Sequence, residues 1–143
     1  MDAEQEFLKR LQPYCKLTVE EVQEARLPDS PSRAEIDAAL EREAATISAR
    51  CTKNGAVVAM CVEGDVLDSG AFADFLRDCA ISGVSRLNFI IGGSFGLAGS
   101  VKSRADRRFS MSKMTFPHHL ARIMLLEQIY RGFKIGEGGK YHK

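Results

Sequence analysis

At 143 residues, 45% of them apolar, the chain is long enough for one domain with one core and has no run long enough to cross a bilayer. The formal charge of +1 is unevenly divided: residues 100–143 carry ten Lys/Arg against three Asp/Glu, a net of +7, while residues 1–99 carry ten against sixteen, a net of −6. Four cysteines with no CxxC pair and no adjacent histidine support neither a zinc nor a dithiol motif, and no hydrophobic signal region follows Met1, so a soluble cytoplasmic protein is expected.

In chain order, residues 3–12 predict a short helix with Phe7, Leu8 and Leu11 on one side. Alternation from Lys16 to Val22 predicts a strand. After the loop from Leu27 to Ser32, Ser32 is placed to cap a helix with Glu35 three residues on. That helix runs to about Arg50, with Ile36, Leu40, Ala44 and Ile47 at helical spacing. Gly55 to Val62 is a continuous apolar run, the pattern of a central parallel strand covered on both faces. Glu63-Gly64-Asp65 is expected to turn the chain, and Ser69 to cap a helix ending near Gly83 whose apolar face holds Phe72, Phe75, Leu76 and Cys79. A buried strand follows from Arg86 to Ile91, a short helix from Leu97 to about Ala105, a strand from Phe109 to Met111, and a helix from Pro117 to about Ile135. Cys61 and Cys79 lie in apolar runs and are expected as core thiols. The alternation makes the class α/β, a mostly parallel sheet with flanking helices in a single domain over residues 1–143.

Two strand ends feed short loops, which is how an open α/β sheet builds a ligand crevice at its carboxyl edge. Gly92 and Gly93 let a backbone approach a ligand closely, or simply turn the chain; GGSFGL lacks the GxGxxG spacing of a dinucleotide site. Met111 to Phe116 forms the second loop, where Met111, Met114 and Phe116 offer apolar surface to a ligand or to the core. His118 and His119 follow Pro117; adjacent helical positions point about 100° apart, so the pair does not converge on one metal ion. The basic carboxyl-terminal part suits a polyanion such as RNA or is an ordinary solvated face, and Arg104, Arg107, Arg108, Arg122 and Arg131 are the candidate phosphate contacts or surface ion pairs.

The words GGSFGL, SKMTFPH, LARIMLLEQIYRGFKI and the terminal YHK, with weaker continuation through Phe7 to Leu11, Pro13-Tyr14 and Lys16-Leu17, closely resemble the RlmH family of SPOUT methyltransferases. The resemblance implies a carboxyl-terminal trefoil knot, a homodimer whose site is completed across the interface, and S-adenosylmethionine as cofactor. It implies methylation of N3 of a pseudouridine in large-subunit (23S) ribosomal RNA. By the same resemblance Met60 (commonly Leu in the family), Gly92 and Gly93 would hold the cofactor together with Met111, Ser112, Lys113, Met114, Thr115 and Phe116. His142 would accept the N3 proton, Tyr141 would position or stack on the base, and Arg104, Arg122 and Lys143 would contact RNA. No metal and no membrane partner are implied.

Family chains usually begin with a strand ahead of the segment matching Glu6 to Leu11, and that strand is expected to be absent here. The rival expectation is therefore a non-catalytic RNA- or ribosome-binding protein derived from the family. Ala44 for a usual glycine and Cys61 for a usual acidic residue are smaller departures outside the two loops.

Overall fold

The computed structural model describes residues 2–137. Three parallel strands form one sheet in the order β2-β1-β3: β1 (Ala56–Val66), β2 (Leu87–Ile91) and β3 (Arg107–Ser110). The expected α/β class and parallel sheet are borne out. Val58 and Ala59 show why a continuous apolar run was needed. They point to opposite faces of the sheet, and both are fully buried.

The Val58 face packs with Leu11 of α1 (Ala3–Leu11), Phe72 of α3 (Ser69–Ile81), Phe109, and Leu125, Leu126 and Ile129 of α5 (His118–Gly136). The Ala59 face packs with Leu40 and Ala44 of α2 (Arg33–Arg50), Ile90, and Leu97, Ala98 and Val101 around α4 (Gly99–Arg104). Each large side chain so buried contributes about 1.5–3 kcal/mol. Phe75 meets Phe109 edge-on at 4.9 Å, and Gly132 lets α5 approach Leu76 of α3, where a Cβ would lie 2.8 Å from Leu76 Cδ1.

Local signals fixed several ends. The Ser32–Glu35 capping box is complete, with Glu35 N–H donating to Ser32 Oγ at 3.1 Å and Ser32 N–H to Glu35 Oε1 at 3.0 Å. The cap of α3 is Asp68 rather than Ser69: Asp68 Oδ1 accepts from Ala71 N–H at 2.7 Å, and a carboxylate also complements the helix amino terminus. Glu63-Gly64-Asp65 does not end the strand. β1 continues to Val66 after an irregularity that pairs both Met60 and Asp65 with Phe109, and Gly64 lies so close to β3 that a Cβ would sit 2.7 Å from the Phe109 carbonyl carbon. β3 starts at Arg107, two residues earlier than expected, because its first two side chains are exposed arginines and carry no apolar signal. Cys61 and Cys79 are only half-buried, so the expectation of core thiols is corrected.

The largest correction concerns residues 16–22, which form no strand. A ladder needs a neighbour about 4.8 Å away. Here a cavity of about 1260 Å³ intervenes, lined on one side by residues 14–24 and on the other by residues 83–93, with Ile47, Leu76, Leu125, Leu126 and Ile129 also facing it. The register on β1, with Ala56 N–H bonded to the Arg86 carbonyl at 2.9 Å, turns the main-chain groups of Leu87, Phe89 and Ile91 away from β1 and toward that cavity.

Candidate functional site

All three strands run the same way, so the loops that follow them gather at one edge of the sheet. Met60 pairs in register with Ile91 and with Phe109, which puts it between the start of the glycine loop and the end of β3. The glycine loop closes on itself: Gly96 N–H donates to the Gly93 carbonyl at 3.1 Å, and Gly96 holds φ +84°, a conformation that favours glycine. A Cβ on Gly92 would lie 2.6 Å from the Gly96 carbonyl carbon, so the turn requires glycine at that point.

Glu24 crosses to this loop from the extended amino-terminal segment. Its Oε1 accepts from Ser94 N–H at 3.2 Å, and a Cβ on Gly93 would overlap its carboxylate. Glu43 of α2 holds the next residue, accepting from Ala25 N–H at 2.9 Å. Sequence reasoning missed Glu24; an acidic residue in an irregular stretch carries no local sign of a partner 70 positions away.

The loop after β3 is more open. Ser110 Oγ donates to the Ser112 carbonyl at 2.7 Å, and Met114 N–H to Ser112 Oγ at 3.1 Å. Lys113, Met114 and Thr115 are exposed, Met114 by 71%, while Met111, Ser112 and Phe116 are half-buried. The main-chain groups of Lys113, Thr115 and Phe116 make no hydrogen bond among the described residues. Free main-chain donors and acceptors beside apolar side chains suit the edge and face of a purine, so the residues present fit an adenosine-containing cofactor. The large cavity takes in Gly92, Gly93, His118 and Arg122 but neither Met60 nor the second loop.

His118 and His119 are exposed with ring centroids 4.1 Å apart, so at the first turn of α5 the two rings lie side by side rather than diverging. Among the described residues no group of three His, Cys, Asp or Glu could hold a metal ion.

Of the candidate RNA contacts, Arg104 is exposed at the end of α4. Arg122 is committed inside the chain: Nη1 donates to Glu21 Oε1 at 2.8 Å and Nη2 to Glu4 Oε2 at 3.2 Å, while its buried Nε has no partner among the described residues. The Arg122 hydrogen bond and charge hold the Glu21 carboxyl below its ordinary value. Arg107 lies over the Phe75 and Phe109 rings at 5.3 and 5.1 Å, Arg108 donates to the Lys102 carbonyl at 2.9 Å, and Arg131 pairs with Glu127. Tyr141, His142 and Lys143 lie outside the described residues.

No helix among the described residues is long and apolar enough to cross a membrane. A family model described as "Predicted SPOUT methyltransferase" matches residues 1–142. A protein of Clostridium kluyveri named ribosomal RNA large subunit methyltransferase H is 46% identical over 141 residues, covering 99% of this chain and 89% of the relative. Proteins of the same name from Clostridium acetobutylicum and Carboxydothermus hydrogenoformans are 44% identical over 142 residues (99% of this chain, 89% of the relative) and 46% identical over 138 (96% and 87%).

Proposed function

This chain belongs to the SPOUT methyltransferase family, and from that premise we propose that it transfers a methyl group from S-adenosylmethionine to N3 of a pseudouridine in large-subunit ribosomal RNA. Membership carries the family's knotted fold and a methyltransferase activity. The observation that carries the finer reading is near-full-length similarity to ribosomal RNA large subunit methyltransferases H, with two loops meeting beside Met60 at the carboxyl edge of the sheet.

In this reading Gly92 and Gly93 would hold the cofactor together with main-chain groups between Met111 and Phe116. Met60, Met111, Met114 and Phe116 supply its apolar surroundings, with Ser112, Lys113 and Thr115 completing the loop. The cofactor, when bound, supplies a methyl group already activated on a sulfonium sulfur. The chain must deal with the target base, whose N3 is a weak nucleophile while protonated. His142 accepts that proton as the nitrogen attacks, Tyr141 positions the ring, and Lys143 and Arg104 hold phosphate oxygens. Arg122, bound to Glu4 and Glu21, instead fixes α1 and the acidic segment against α5. We take the working form to be a cytoplasmic homodimer; exposed Phe95, Met114 and Leu120 beside the loops are the apolar surface a second copy would cover.

The test is calorimetric titration with S-adenosylmethionine with the oligomeric state recorded, then methyl transfer to large ribosomal subunits with the product mapped. A saturable dimer that modifies N3 of pseudouridine is expected. A folded chain that binds ribosomes but not the cofactor would replace this reading with the non-catalytic one. His142→Ala should keep cofactor affinity within about two-fold and lower the methylation rate by about 100-fold, within the range of a lost general base.

A further inference from the structure

The cavity beside β2 is a cleft with main chain on both walls. On one wall the groups of Leu87, Phe89 and Ile91 face away from β1. On the other, no main-chain group from Lys16 to Glu24 makes a hydrogen bond among the described residues. Leu17 and Val19 are nevertheless half-buried while Lys16, Thr18 and Glu20 are exposed, the alternation of a strand. This segment runs the same way as β2: Glu20 lies 3.8 Å from Arg50, ahead of β1, and Glu24 accepts from Ser94 N–H, beyond the end of β2. Leu76, Leu125 and Ile129 line the cleft from the Val58 side of the sheet, and Ile47 and Leu97 from the Ala59 side.

The path of α1 gives the direction of what fits there. Its first turn lies at the carboxyl edge of the sheet, where Glu4 bonds to Arg122 near the start of α5 at 3.2 Å. Just past its end, Tyr14 stacks on Phe133, near the end of α5, at 5.2 Å. The chain thus runs back along α5 and returns through residues 16–24. Parallel strands are joined by such a crossover helix, so α1 has the position of a crossover whose first strand would lie in the cleft. We propose that the cleft is a strand-addition site: it takes an extended segment of about five residues that leads into α1, parallel to β2 and apolar on both faces. That segment bonds Leu87, Phe89 and Ile91 on one side and residues 16–22 on the other, which joins both walls into one sheet. The matched 141 residues of the Clostridium kluyveri relative are 89% of it, so that protein has chain of this length beyond the match.

The test fuses Val-Ile-Val-Ile-Val and a short Gly/Ser turn ahead of Met1 of the full chain. This extension should raise the thermal midpoint by about 5 °C and slow amide exchange at Leu87, Phe89 and Ile91 about 100-fold. The same extension with proline at both isoleucine positions lacks ladder donors and should match the unmodified chain in both readings. An equal effect from the apolar extension placed after Lys143 would overturn the assignment to a segment leading into α1. Titrating the unmodified chain with the free peptide Lys-Val-Ile-Val-Ile-Val-Lys needs no fused variant to fold, and it should slow the same three amides. Unchanged exchange in the fusion and in the titration would overturn the proposal. So would slow exchange in the unmodified chain that is lost on dilution, which would give the cleft to a second copy. Every reading is made without a methyl donor, so the result is separate from that of the methyltransferase reading.

Discussion

The loops after β2 and β3 sit at the same edge of the sheet and are held in opposite ways. The glycine loop is set before any ligand arrives: Gly96 bonds back to Gly93, Gly92 packs against Gly96, and Glu24 takes the Ser94 N–H. Among the described residues the methionine loop is tied through Ser110 and Ser112 alone, and its most exposed large side chain, Met114, is 71% exposed. A site assembled this way spends ordering entropy on one side only. On the proposed reading, the held loop would fix where the cofactor sits and the open loop would order on binding it.

The largest way to break that contrast is at Gly92. A side chain there meets backbone rather than a movable group, so Gly92→Val should weaken S-adenosylmethionine binding by about 100-fold in calorimetry, the effect of roughly 3 kcal/mol of misfit. Retained affinity would mean that the loop is not set in advance. On the open side, Met114→Ala should shift thermal stability by less than about 0.5 kcal/mol, because the side chain is 71% exposed, yet lower donor affinity by about five-fold through lost apolar cover. Amide exchange sharpens the same distinction without mutation: Gly96 N–H should exchange about ten-fold more slowly than Lys113 or Thr115 N–H in the free protein, and the donor should slow the latter two.

The smallest effect concerns the Glu21–Arg122 pair that ties the amino-terminal segment to α5. The carboxyl of Glu21 is held below its ordinary value of 4.5 by Arg122, so the stabilisation from this pair is present above pH 4.5 and is lost as pH falls through the lower folded value. Wild type and Glu21→Gln should therefore differ in thermal midpoint at pH 6, and the gap should shrink as pH falls progressively below 4.5; a constant gap would assign the difference to something other than this ionisation.

Much of this was legible where a feature depends on neighbours in sequence. The Ser32–Glu35 box announced α2, and the run into Gly92-Gly93 announced both a buried strand and its loop. What failed was set by distant partners. Residues 16–22 alternate like a strand but have no neighbour to pair with among the described residues, and alternation states a preference without supplying that neighbour. The start of β3 hid behind Arg107 and Arg108, and the irregularity between Met60 and Asp65 exists only in the register with β3. Glu24 acquired its role through a contact 70 residues away and Arg122 through contacts 101 and 118 residues away, so an arginine read as a phosphate contact is occupied by two carboxylates of its own chain.

The outward-facing main chain of Leu87, Phe89 and Ile91 has a consequence for how the protein behaves as a material. A row of donors and acceptors unpaired among the described residues and bordered by apolar side chains is a template for another extended backbone, from any chain that can reach it. Pairing along that margin would rise with protein concentration, and a net charge of +1 supplies little repulsion to oppose it.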